Sequence, residues 1–281
     1  MKHPGKGFTL VELIVVMIVV GVLAGSIAIF VKPAMESYVD SGRRATLTDI
    51  ADGAMRRIKR DIRMSVPNSF RQSGPTCLEM VPTSGGGRFR TAADPNDASS
   101  QPLDTSAPGT SFDVVMGPGN APAATDLLVI GNQSPEDVYS GSNVNTIAQV
   151  AAHPAPAAAG AVVLGTHRIT LNATAKYPLG YEGGRFVLVP AAQQAVFYRC
   201  NNGVLTRFSN YVPALAAPAN CTAPANASAA IVATHLSACS FNLNPNPGIT
   251  QDSGYIELQL TLSDAGSNVT LIDGAHADNM P

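Results

Sequence analysis

The 281-residue sequence predicts an α+β protein, with one long amino-terminal helix packed on an antiparallel β-sheet head. Three observations lead there. Residues 8–31 read FTLVELIVVMIVVGVLAGSIAIFV, 24 residues with a single charge, Glu12. Residues 34–64 keep a helical period, with an apolar stripe and charges elsewhere. Beyond Pro67 the pattern changes to short β-rich runs separated by Gly, Pro, Asn and Ser. With 45% hydrophobic and 14% charged residues, the chain has enough apolar surface for a sizeable core and too little charge for wholesale disorder. The net charge of −2 is unevenly spread: residues 1–63 carry +4 and the remainder −6. Without a strong basic excess, and with no Trp, a broad nucleic-acid-binding face is disfavoured and no nucleic-acid partner is expected.

The first half of the helix is a membrane segment by length. At about 1.5 Å per residue it reaches roughly 36 Å, more than the ~30 Å hydrocarbon layer. It is too long for the apolar region of a secretory signal, and no A-x-A-like cleavage site follows it. Lys2 and Lys6 in the short leader hold the amino terminus in the cytoplasm, although Lys32 weakens the bias; the chain beyond Pro33 then lies outside. Glu12 is the informative residue. A carboxylate at the centre of a membrane helix costs about 2.5–3.5 kcal/mol, a cost lessened here by the nearby positive helix end. Taken alone, it reads either as an interfacial side chain reaching the headgroups or as an acid with a partner. Gly21 and Gly25 have the small-xxx-small spacing that allows close helix packing. The apolar segment holds no proline, so any break in the helix is expected near Lys32–Pro33.

In this setting the run Gly7-Phe8-Thr9-Leu10-Val11-Glu12-Leu13 resembles the processing site of type IV prepilins and pseudopilins. The resemblance implies a pilin-like fold and a specific chemistry. A membrane prepilin peptidase/N-methyltransferase would cut after Gly7 on the cytoplasmic side and methylate the new amino group of Phe8. Glu12 falls on the family's acidic position, which pairs with the terminal amine of a neighbouring subunit during assembly. The partners implied are other pilin or pseudopilin subunits, met through the helix, and the lipid of the bacterial inner membrane. The physics is compatible, because a buried carboxylate is tolerable where a cation meets it. Cutting removes Lys2 and Lys6 and takes the side-chain charge from −2 to −4. The organisation expected is a leader over 1–7, a transmembrane assembly helix over 8–31, an amphipathic continuation over 32–66, and a periplasmic head over 67–281.

In that continuation Leu47, Ile50, Ala51, Ala54, Ile58 and Ile62 share one face, and the helix is expected to stop at Val66-Pro67. Such a stripe is buried most economically on a sheet of the same chain. The run Arg56, Arg57, Lys59, Arg60 and Arg63 reads as a solvated face that suits a helix carboxyl end, in preference to a lipid or nucleic-acid patch. In the head, strands are expected over 76–81, 112–116, 127–131, 161–171, 185–189, 196–199, 204–208, 231–236, 255–262 and 268–272. Asn202-Gly203 and Asp264-Ala265-Gly266 mark two hairpins. Residues 91–111, 150–160 and 213–228 read as loops, and Gly85–Gly87 as a turn.

Cys77, Cys200, Cys221 and Cys239 are an even set in a head placed outside the cytoplasm, so disulfides are expected. Three pairings are open. Chain adjacency favours Cys200–Cys221, leaving Cys77 with Cys239. No pair has zinc-ligand spacing, and no metal or cofactor is expected. The five histidines are scattered, and neither a nucleophile elbow nor a phosphate loop is present, so the sequence reads as a non-enzyme.

Four head segments, 77–90, 196–207, 237–241 and 269–281, resemble the MshO-type minor prepilins of the mannose-sensitive haemagglutinin (MSHA) pilus. That resemblance implies a minor subunit that primes or caps a filament. Two alternatives keep the same helix: a pseudopilin at the tip of a type II secretion pseudopilus, and an adhesive tip module that uses the 91–111 loop.

Overall fold

The fold comes from a computed structural model that describes residues 7–95, 97–104, 107–117, 122–154, 165–175, 177, 184–243 and 255–276. The chain opens with α1 (Leu10–Arg63), a single 54-residue helix. Thr9 caps it, its hydroxyl accepting the Glu12 amide at 3.3 Å. No break occurs at Pro33, the position at which any break was expected. Proline's fixed φ is itself helical, and the one hydrogen bond it removes is that to the Ile29 carbonyl, at the outer end of the apolar segment. The helix ends at Arg63, before Val66-Pro67. Ser65 and Val66 are already extended there: Ser65 bridges Pro82, and the Val66 amide donates to the Val81 carbonyl at 2.8 Å.

The first strands are β1 (Cys77–Met80), β2 (Gly85–Phe89), β3 (Gly109–Met116) and β4 (Leu127–Val129). A short helix, α2 (Pro135–Ser140), precedes β5 (Val144–Ala152), β6 (His167–Ala175) and β7 (Arg185–Val189). Then come β8 (Val196–Asn201), β9 (Val204–Ser209), β10 (Ser228–Ala233), β11 (Leu236–Leu243), β12 (Tyr255–Asp264) and β13 (Ser267–His276). They form an antiparallel sheet ordered β1-β8-β9-β10, an antiparallel sheet ordered β11-β12-β13, and a closed barrel ordered β2-β3-β6-β5-β4-β7. The barrel is therefore an insertion between β1 and β8, two strands that pair directly with each other.

Both open sheets pack on α1. Leu47, Ala51, Ala54, Met55, Ile58 and Ile62 are buried against Leu78, Met80, Val196, Tyr198, Leu205, Leu258 and Leu260. The predicted stripe is that face, with Ile50 half-buried at its rim and Met55 joining it. The barrel has its own core around Phe89, Phe112, Val114, Ile147, Ile169 and Phe186. A third cluster, Val66, Val81, Val129, Tyr139 and Val189, joins barrel to sheet. The two predicted hairpins are both present. Asn202-Gly203 and Ala265-Gly266 take positive φ at both positions, as a tight two-residue turn between twisted strands requires.

Several strand expectations are corrected. Gly85–Phe89 is strand β2 and not a turn, because barrel closure needs bare backbone there: a Cβ at Gly86 would lie 2.5 Å from the Phe186 carbonyl oxygen. Val144–Ala152 is strand β5, so residues 150–152, expected as the start of a loop, are paired with β6 instead. The run 231–236 divides between β10 and β11, because His235 takes a positive φ and turns the chain. Residues 161–164 of one predicted strand, and part of the 150–160 loop, lie outside the described residues.

Candidate functional site on the amino-terminal helix

Every residue from 7 to 39 is exposed, although nearly all of residues 8–31 are apolar. Phe8 is 79% exposed and Phe30 74%. This helix is long and apolar enough to cross a membrane, and none of its apolar window is buried within the chain. A rod of this kind has the composition of a core and is not buried within the described chain, a pattern that suits a segment covered by lipid or by other helices. Gly7 precedes the helix, and Glu12 sits in its first turn without a cationic partner among the described residues. Gly21 and Gly25 present open backbone: a Cβ added at either would meet nothing within 4 Å, which leaves room for an approaching helix. Residues 1–6, with Lys2 and Lys6, lie outside the described residues.

The four cysteines form two disulfides, Cys77–Cys221 and Cys200–Cys239, with Cα separations of 5.6 and 6.3 Å. The pairing that chain adjacency favours, Cys200–Cys221, is overturned by strand parity. Cys77 lies opposite Arg199 on β8, so it shares Arg199's face, while the next residue, Cys200, points the other way. Cys77 thus joins Phe197, Phe208, Tyr211 and Cys221 on the outer face, and Cys200 turns towards α1 and meets Cys239.

Three polar clusters in the head carried no sequence signal, since their members are far apart in the chain. In the first, Asp61 on α1 accepts the Tyr198 hydroxyl at 2.7 Å and the Arg207 Nε at 2.6 Å. In the second, Arg71 stacks 3.4 Å above the Tyr139 ring and donates to Glu79 at 2.6 Å and to the Ala214 and Leu215 carbonyls. Glu79 also accepts the Tyr211 hydroxyl at 2.6 Å; burial, then the Glu79 charge, pushes that phenol well up. In the third, the buried Asp113 accepts from Arg168 Nε at 2.7 Å and from the Gln101 amide at 2.6 Å, with His153 Nε2 3.1 Å away. These clusters are saturated by their own partners and so act as fasteners. The Arg56–Arg63 run is largely a solvated face, except that Lys59 is half-buried and reaches Asp273 on β13. Among the described residues no group of three or more His, Cys, Asp or Glu could hold a metal ion.

The family model "Prokaryotic N-terminal methylation motif" matches residues 4–28, the stretch that holds Gly7, Phe8 and Glu12. The chain is 29% identical to the "Type IV major fimbrial protein FimA" of Dichelobacter nodosus over 137 residues, which cover 47% of this chain and 80% of that protein. A "Fimbrial protein" of the same organism matches at 28% identity over the same lengths. No solved structure matches the chain. With its exposed apolar helix and antiparallel head, the chain is a type IV pilin-like protein that carries an N-terminal methylation motif.

Proposed function

We propose that this chain is a minor subunit of a type IV pilus, cut after Gly7 and N-methylated at Phe8, that helps to prime or cap the filament. The observation that carries the reading is the bare apolar helix with one carboxylate, Glu12, at its start. Removal of residues 1–7 would create an ammonium at Phe8. On a neighbouring helix that group supplies the cation an acid in hydrocarbon needs. Gly21 and Gly25 would let sister helices come close. The part anchored in the inner membrane would be 8–31, with 32–66 as its continuation and 67–281 as a periplasmic head.

The minor role is supported by the inserted barrel. Helical filaments repeat one set of contacts between identical subunits. A second cored unit hung on the sheet adds bulk at each repeat, which suits a low-copy position at an end. Head segments 77–90, 196–207, 237–241 and 269–281 point towards the MSHA type. A Glu12→Ala variant tests the proposal: co-purification with sister pilins and surface piliation should both fall sharply. Unchanged piliation together with unchanged co-purification would overturn it.

A further inference from the structure

Beside the last turns of α1 the structure has an open groove of about 430 Å³. One wall is helix: Gly53, Arg56, Arg57 and Arg60. The other is Arg207 of β9 with Ala230–Val232 of β10. Arg207 is held by Asp61, and Arg56 reaches Asp52. Arg57 and Arg60 are exposed and have no carboxylate partner among the described residues.

The β10 wall is a sheet edge. Among the described residues no strand pairs with its outer side, and its sequence, Ser-Ala-Ala-Ile-Val-Ala, has none of the charges or prolines that usually blunt an edge. A bulge between Ile231 and Ala233 ends the regular stretch, leaving Ser228–Ile231 open. Ile231, at 69% exposed, stands as a bare apolar side chain there. Ala230 is in register with Arg207, so it shares the face towards α1, and Ile231 takes the opposite one.

We infer that this groove receives an extended acidic segment of a neighbouring subunit, which adds to β10 as an extra strand. Main-chain hydrogen bonds to the open edge give such a segment its grip, and alternate side chains give it selectivity. Carboxylates at every second position would meet Arg57 and Arg60, and small apolar side chains between them would cover Ile231. Anionic lipid does not fit the position. Arg56 lies 25 residues beyond Val31 on an unbroken helix, about 38 Å up, whereas lipid charge is felt within a Debye length of about 8 Å. The inference rests on the reading that the chain assembles with sister subunits, but its test does not require filaments.

The full-length chain in detergent is titrated with a labelled seven-residue peptide, Thr-Glu-Val-Glu-Thr-Glu-Val. A second peptide of the same sequence, N-methylated at alternate positions, keeps the charges and loses strand pairing. Saturable binding is expected, weakened at least about tenfold by Arg57→Glu/Arg60→Glu and by backbone methylation, and retained with Arg57→Lys/Arg60→Lys. Both arginines are exposed, so the melting temperature of each variant should match the parent and exclude misfolding. No binding, equal binding of the methylated peptide, or equal binding to the charge-reversed variant would overturn the inference. Displacement by phosphatidylglycerol vesicles or a DNA oligonucleotide as readily as by unlabelled peptide would overturn it too, since the site would then be a general anion patch. Unchanged piliation in Glu12→Ala with peptide binding intact would overturn only the proposed function, whereas lost piliation in Glu12→Ala with no peptide binding to the parent would overturn only this inference.

Discussion

Asp61 accepts a hydrogen bond from Arg207 Nε at 2.6 Å, and that contact fastens the last turn of α1 to strand β9. The two side chains are 16% and 10% exposed, and the Tyr198 hydroxyl shares the same carboxylate oxygen. Asp61→Ala leaves a largely buried guanidinium and a phenol unpaired, and should cost about 3 kcal/mol in urea unfolding. Tyr198→Phe should cost about 1 kcal/mol, and the two changes should not add, because they remove one shared contact. A loss below about 0.5 kcal/mol for Asp61→Ala would contradict the fastening role.

Gly87 tests the closure of the barrel. A Cβ there would lie 2.5 Å from the Val115 carbonyl oxygen and 2.9 Å from the Phe186 ring. Gly87→Ala should therefore destabilise the barrel by about 2 kcal/mol. Gly53→Ala is the control, since that position on α1 has nothing within 4 Å; there the gain in helix propensity should stabilise by about 0.5–1 kcal/mol.

The disulfides give a covalent check. Peptide mapping without reductant should link Cys77 to Cys221 and Cys200 to Cys239. The sequence separations are 144 and 39 residues, for which chain entropy gives about 5 and about 4 kcal/mol respectively. Cys221→Ser should thus lower the unfolding free energy more than Cys239→Ser. Recovery of a Cys200–Cys221 peptide would contradict the face assignment of β8.

Much of this was legible in the sequence, and the failures share a cause. The stripe from Leu47 to Ile62 and the turn at Asn202-Gly203 are local patterns, and both are present. The barrel is not local. β2 pairs with β7 about a hundred residues later, and its glycines, which depress strand propensity, are there because of that pairing. The cysteine partners depend on which face of β8 each side chain leaves, and so on the register with β1. Asp61, Arg71 and Asp113 look like ordinary charges until the fold buries them.

The barrel should also be sensitive to acid. Burial by itself would raise the Asp113 carboxyl, but Arg168, the Gln101 amide and His153 more than offset this and hold it below the usual carboxylate range. Asp97 is lowered as well, chiefly by the Ser99 hydroxyl and amide. A carboxylate whose folded pKa lies below its unfolded value of ~3.9 contributes stability that is fully present above that value and is lost as the pH falls through the folded pKa. Thermal unfolding should change little on this account from neutral pH to about 5, and stability should then decline below about pH 4. Asp113→Asn should cost about 3 kcal/mol at neutral pH, and its deficit should shrink in acid as the parent loses the same charge. Parallel pH curves for the two proteins would contradict the assignment.

The intact mass and first residue of the protein recovered from its native membrane decide whether the exposed helix is a processed assembly element. A chain that starts at Phe8 and is heavier by one methyl group on its amino nitrogen is expected. A mature protein that retains Met1, or begins at any residue other than Phe8, would contradict it.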